Sequence, residues 1–136
     1  SEDRDNLDFS FSGLKTAAIN QLHQLEQRGQ AVDPADFAAS FVEAVAQALC
    51  RRLELAAAET GAPVLALCGG VAANTALRRH AQALADRLGL PLTVPPPALC
   101  GDNAAMIGAQ AHAELLAGHT AGSDLNALAT RSLDQG

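Results

Sequence analysis

The stretch Val64-Leu65-Ala66-Leu67-Cys68-Gly69-Gly70-Val71-Ala72-Ala73-Asn74 constrains this chain more than any other. A short, continuous apolar run, bounded by Gly61 and Pro63 on one side and two glycines on the other, has the pattern of a strand buried on both faces of a parallel sheet. The alanine-rich continuation predicts a helix that restarts straight after the glycine pair, so the order is strand, turn, helix. Gly69 and Gly70 remove two side chains where the chain reverses, which lets a phosphate or ribose approach the backbone and the first free N–H groups of that helix. The plainer reading is a tight turn between strand and helix, since a Gly-Gly pair by itself is a weak signal.

Composition narrows the fold. With 136 residues, 49% of them hydrophobic, the chain holds one core and is too short for two comfortable domains. It begins at Ser1 and its one methionine is Met106, which leads us to expect a processed product or a piece of something longer. Tryptophan and tyrosine are absent, so the core must be built mainly from Leu, Val and Ala, and helices should dominate. A net charge of −6 argues against gripping a nucleic-acid backbone unaided. Cys50, Cys68 and Cys100 form no Cys-x-x-Cys pair, which favours reduced thiols in a cytosol over a disulfide framework or a zinc site. No run approaches the roughly 18 apolar residues of a membrane span, and no secretory start is visible. The expectation is a soluble, cytoplasmic protein without a membrane partner.

Along the chain, residues 1–6 read as a charged, solvated loop, and the alternation of Leu7, Phe9 and Phe11 with Asp8, Ser10 and Ser12 predicts an edge strand. A first helix follows over about Gly13 to Arg28. Asp33-Pro34 starts a second, with Phe37, Phe41, Val45, Leu49 and Leu53 as one core stripe to about Thr60. Leu77, Leu84 and Leu88 mark the buried stripe of a third helix ending at Gly89, while Arg78, Arg79 and Arg87 occupy its exposed face. Leu92-Thr93-Val94 reads as a short buried strand, and Pro95-Pro96-Pro97 as a stiff, extended exit. A last helix runs from Asn103 to about Ala117, with Gly118 ending it. The tail 119–136 reads as loosely ordered unless held by a partner surface.

Asp102 follows a glycine at a helix start, where capping is the commonest role for an aspartate. The functional alternative is a metal ligand, because a helix N-terminus favours the ionised carboxylate that a cation needs. His112 and His119 lie about 10 Å apart along a helix, too far to share one ion, and His23 and His80 read as surface residues. Asn74 likewise admits a capping role or, through an amide that both donates and accepts, contact with a nucleotide.

Three ordered motifs run along the chain: Phe9-Ser10-Phe11-Ser12-Gly13-Leu14-Lys15-Thr16, the Cys68-to-Asn74 segment, and Cys100-Gly101-Asp102-Asn103-Ala104-Ala105-Met106-Ile107. Together they resemble the C-terminal part of the TsaD family, formerly called O-sialoglycoprotein endopeptidases, which are tRNA threonylcarbamoyladenosine synthases of the actin-like ATPase superfamily. The resemblance implies an α/β fold over residues 1–136: a helix-rich fragment of an actin-like (ribonuclease H-like) lobe with a small, mostly parallel sheet. It implies transfer of a threonylcarbamoyl group from threonylcarbamoyl adenylate to the exocyclic amine of the adenosine beside the anticodon, in tRNAs reading codons that begin with A. By motif, Asn74 would bind the nucleotide part of the adenylate, Gly69 and Gly70 would let it approach, and Asp102 would be a ligand of the active-site metal, Fe(2+) or another divalent ion. TsaB-like and TsaE-like proteins would be the bacterial partners. Ser12, Gly13 and Lys15 lie in a family motif without an assigned role.

In that family the paired metal histidines and the other nucleotide-binding glycine loops belong to an N-terminal half, so this chain alone is expected to be inactive. Rival readings differ in class, and a sugar or acetate kinase of the same superfamily is open on fold alone. A non-catalytic actin-like paralogue acting as a dimerisation scaffold should lack the metal aspartate, and Asp102 is present. A metalloprotease, suggested by the old family label, would need a zinc-binding motif and a general base.

Overall fold

The computed structural model of the chain describes Leu7 and residues 9–126, which fall into two units divided between Gly101 and Asp102. In the first, α1 (Phe11–Gln27), α2 (Pro34–Thr60), β1 (Leu65–Ala66), α3 (Thr75–Leu88) and β2 (Leu92–Thr93) follow in order. Short 3₁₀ turns interrupt it at Gly70–Ala73 and Pro97–Leu99, and the second unit holds α4 (Ala104–Leu116). The chain is α/β and helix-rich, with a two-stranded parallel sheet. No described helix is long and apolar enough to cross a membrane.

The edge strand expected over Leu7 to Ser12 is not formed by its described residues, and Asp8 lies outside them. Ser10 is extended and caps α1, its Oγ accepting from the Gly13 N–H at 3.1 Å, so Phe11 is already helical. A cap satisfies one of the orphan N–H groups of the first turn, whereas a strand here would have no neighbour for its backbone among the described residues. The Phe9 and Phe11 rings instead meet edge to face, 5.0 Å apart. Residues 1–6, read as a solvated loop, lie outside the described residues, as do residues 127–136 of the tail.

Helix α2 starts and stops where its cap chemistry dictates. The Asp33 carboxylate accepts from the N–H groups of Ala35 and Asp36, and Gly61 ends the helix in the left-handed region at φ 63°. Its buried face differs from the expected one: Ala46, Cys50 and Ala57 are buried, while Phe37, Phe41, Val45, Leu49 and Leu53 are only half-buried. The reason is geometric, because each step of four residues overshoots a full turn by about 40°, so a strict four-residue series winds around the helix instead of staying on one face.

Helix α3 presents Leu77, Ala81, Leu84 and Ala85 to that face, at spacings that keep one stripe. Small residues on both helices let the backbones approach closely, and Leu65 of β1 joins the same core. The ladder sets Leu65 against Leu92 and Ala66 against Thr93, with Leu65 N–H bonded to Pro91 O and Leu67 N–H to Thr93 O. Neither strand is buried on both faces as expected: Leu65 is covered and Ala66 exposed, Leu92 is half-buried and Thr93 exposed. Only one layer of helix covers this sheet among the described residues.

Three ion pairs tie α2 to α3 along their exposed flank. Arg87 bonds Glu54 through both Nη atoms, at 2.6 and 2.9 Å, while Glu43 takes Arg79 at 2.9 Å and His80 at 2.6 Å. Of the free cysteines, Cys50 and Cys100 are buried and Cys68 is exposed, and burial pushes the Cys50 thiol pKa up.

In the second unit, α4 is closed by Ala117 and by Gly118 at φ 77°, as expected. None of its side chains is buried, although Ala105, Met106, Ala109, His112, Ala113 and Leu116 have core-like spacing. Beyond it, the His119 ring bonds Glu114 at 2.8 Å.

Candidate functional site

The structure brings Gly69, Gly70 and Asn74 into one compact turn at the end of β1. The chain leaves the sheet after Leu67, passes the exposed Cys68, and takes φ 79°, ψ 176° at Gly69. That region of backbone space is essentially closed to residues with a Cβ, so Gly69 is required by its conformation. Gly70 opens the 3₁₀ turn, in which Ala72 N–H bonds Gly69 O at 2.9 Å and Asn74 N–H bonds Val71 O at 3.0 Å. The expected direct restart as a helix is therefore corrected: one tight turn intervenes, and α3 begins at Thr75. Gly70 has no positive φ, and a Cβ built on it meets no atom within 4 Å. Neither conformation nor packing among the described residues asks for glycine there.

Asn74 is the N-cap of α3, its Oδ1 accepting from Leu77 N–H at 3.1 Å. This cap leaves the other half of the amide untouched. Among the described residues nothing accepts from Nδ2, so the exposed side chain caps the helix and still offers a donor. Beside it, Phe41, Val45, Leu49, Val71 and Leu77 line a cleft of about 140 Å³. Ligand pockets span roughly 300–1,000 Å³, so this apolar cleft is too small to enclose a nucleotide, and an adenylate would have to lie against the turn itself.

Arg78 departs from the expected solvated face. Its Nε donates to Ala72 O, and its Nη2 to Pro95 O at 2.7 Å and to Cys100 Sγ at 3.2 Å. Position gives only a direction: Arg78 lies four residues after the cap, and helical side chains lean towards the N-terminus, which aims it at the turn without naming its acceptors. Arg79 and Arg87 keep the exposed positions expected of them, paired with Glu43 and Glu54. These pairings hold both carboxyl groups below their ordinary pKa, through the His80 hydrogen bond first at Glu43 and the Arg87 hydrogen bond first at Glu54.

Asp102 is not the cap of α4. Asn103 is, accepting from Met106 N–H at 3.0 Å, because its Oδ1 stands at the position from which a short side chain reaches the third helical N–H. Asp102 precedes it in an exposed bend, and among the described residues its carboxylate accepts no hydrogen bond. No group of three His, Cys, Asp or Glu side chains that could hold a metal ion occurs among the described residues. One exposed carboxylate does not by itself fit a divalent ion, which takes four or more ligands.

These positions fall within a match to a known family. Residues 2–109 match TsaD, described as tRNA N6-adenosine threonylcarbamoyltransferase, and this span includes Gly69, Gly70, Asn74, Arg78 and Asp102. The chain belongs to the TsaD family. Among curated relatives, the tRNA N6-adenosine threonylcarbamoyltransferase of Moorella thermoacetica is 50% identical over 94 residues, 69% of this chain and 28% of that protein. The protein of the same name from Staphylococcus saprophyticus is 41% identical over 133 residues, 98% of this chain and 39% of that protein. That of Latilactobacillus sakei is 48% identical over 126 residues, 91% and 37% of the two. The chain thus spans between 28% and 39% of the length of these TsaD-family relatives.

Proposed function

We propose that this chain is part of a cytoplasmic tRNA N6-adenosine threonylcarbamoyltransferase, in which it supplies the turn that holds the nucleotide end of threonylcarbamoyl adenylate. In that reaction the exocyclic amine of the adenosine beside the anticodon, in tRNAs reading codons that begin with A, bonds to the carbamoyl carbon. The bond to the adenylate phosphate breaks, AMP leaves, and the amine loses a proton. The observation that carries the reading is the pairing of Gly70, a glycine without a local reason, with the uncommitted amide donor of Asn74 four residues on. A ribose or phosphate pressed against the turn accounts for both. In the complete protein Asp102 would supply one carboxylate ligand to a divalent cation, iron or another, which would need further donors beyond those described. TsaB-like and TsaE-like proteins are the partners this reading expects.

The test is Asn74→Ala in the complete protein, titrated calorimetrically with a non-hydrolysable adenylate analogue. Loss of the cap costs about 1 kcal/mol of stability, a few degrees of melting temperature. Affinity should fall roughly tenfold, in line with a hydrogen bond to a charged group. Affinity that stays at the parent value overturns the assignment.

A further inference from the structure

Past the last ladder bond, from Leu67 N–H to Thr93 O, the two strands leave the sheet as the glycine turn and as Pro95-Pro96-Pro97. The proline segment has carbonyl acceptors but no N–H groups, so it can accept hydrogen bonds from across the gap but donate none. A side chain with donors alone suits such a gap. Arg78 fills it: one guanidinium reaches Ala72 O on the turn, and Pro95 O and Cys100 Sγ on the other exit. Backbone bonds from the same stretch converge on the turn, with Arg78 N–H on Asn74 O and Leu77 N–H on Asn74 Oδ1. The planar fork matters, because it presents donors in two directions at once, whereas a lysine ammonium is a point charge on a flexible stem.

We propose that Arg78 is a positioning residue for the adenylate-binding turn, holding the Ala72 carbonyl, and with it Asn74, in register with the Pro95–Cys100 segment. This rests on the adenylate reading above. It touches no reacting atom. It acts by fixing where the Asn74 amide points, so its removal should loosen two segments that are distant in sequence and weaken nucleotide binding through Asn74.

Arg78→Gln and Arg78→Lys in the complete protein test it, first without nucleotide by hydrogen exchange, then by titration with the adenylate analogue alone and combined with Asn74→Ala. Arg78→Gln should speed exchange at Ala72, Asn74, Leu99 and Cys100 while the amides of α2 and α3 stay protected. Affinity should fall roughly tenfold, and adding Asn74→Ala should lower it by clearly less than that change does alone, as expected for residues that act as a unit. Arg78→Lys should fall between. Unchanged exchange at the two segments, or losses of affinity that simply add, overturns the proposal. If Arg78→Gln loses protection throughout, the same readings on Arg78→Lys decide: local loosening supports the role and general loosening overturns it. Should Asn74→Ala keep full affinity while Arg78→Gln still loosens both segments, the adenylate reading has failed and the positioning role falls with it. Unchanged exchange in Arg78→Gln beside a weakened Asn74→Ala removes the Arg78 proposal alone.

Discussion

Gly69 and Gly70 are neighbours with opposite requirements. Gly69 sits at φ 79°, ψ 176°, where any other residue carries strain on the order of 1–3 kcal/mol. Gly70 has ordinary backbone angles and open space over its Cα, so alanine there should be neutral or should stabilise by about 0.4–1 kcal/mol through the unfolded state. The pair of substitutions therefore separates folding from function. Gly69→Ala should lower the melting temperature, whereas Gly70→Ala should leave it level or raised while weakening adenylate binding in the complete protein. Melting curves and calorimetry on both variants check this, and full affinity in Gly70→Ala would mean that nothing approaches the turn there. Both glycines and Asn74 were legible as a turn because short-range backbone rules govern them. Arg78 was not, since a spacing pattern places a side chain on a face but does not say that three acceptors from residues 72, 95 and 100 meet there.

Between α2 and α3, an apolar seam of small residues is flanked by Glu43 with Arg79 and His80, and by Glu54 with Arg87. Both glutamates have folded pKa values depressed below their ordinary value. The sign follows from linkage: the contribution is present above the unfolded carboxylate pKa and is lost as pH falls through the lower, folded value. Lowering the pH from about 5 to about 3 should therefore reduce the melting temperature of the chain more than that of Glu54→Gln, which has no charge to lose at that position. Thermal melts at both pH values measure it, and equal slopes would show that the pair is silent. The Asp33-Pro34 start of α2 and the Gly89 end of α3 were readable in advance because these residues act on their own neighbours. Local chemistry was less decisive at the other two starts. Ser10 turned an apparent alternation into a cap, and at Asp102-Asn103 two good capping residues stand side by side, with only the backbone angles at Asn103 choosing between them. The stripe from Phe37 to Leu53 held only in part, with Leu49 and Leu53 packed against the core, since its spacing matched a helix without matching one face.

At the scale of the whole chain, what is described amounts to a helix-covered two-stranded sheet in one unit and an exposed apolar helix in the other, over a span of 28% to 39% of the relatives quoted. One candidate metal ligand and one candidate nucleotide-binding turn do not make a complete transferase. Incubated alone with threonylcarbamoyl adenylate, ferrous iron and substrate tRNA, the chain should yield no modified nucleoside on digestion of the tRNA, and its appearance would place the full site within these residues. The distribution of sulfur across this fold has a practical side. Cys50 is sealed between α2 and α3 with its thiol pKa raised, and Cys100 is buried against the proline segment, which leaves Cys68 as the one cysteine open to solvent. Thiolate chemistry follows exposure and pKa, so a maleimide dye at neutral pH attaches at the residue next to Gly69. The native sequence thus carries its own fluorescence reporter position, one peptide bond from the turn whose occupancy an experimenter would want to watch.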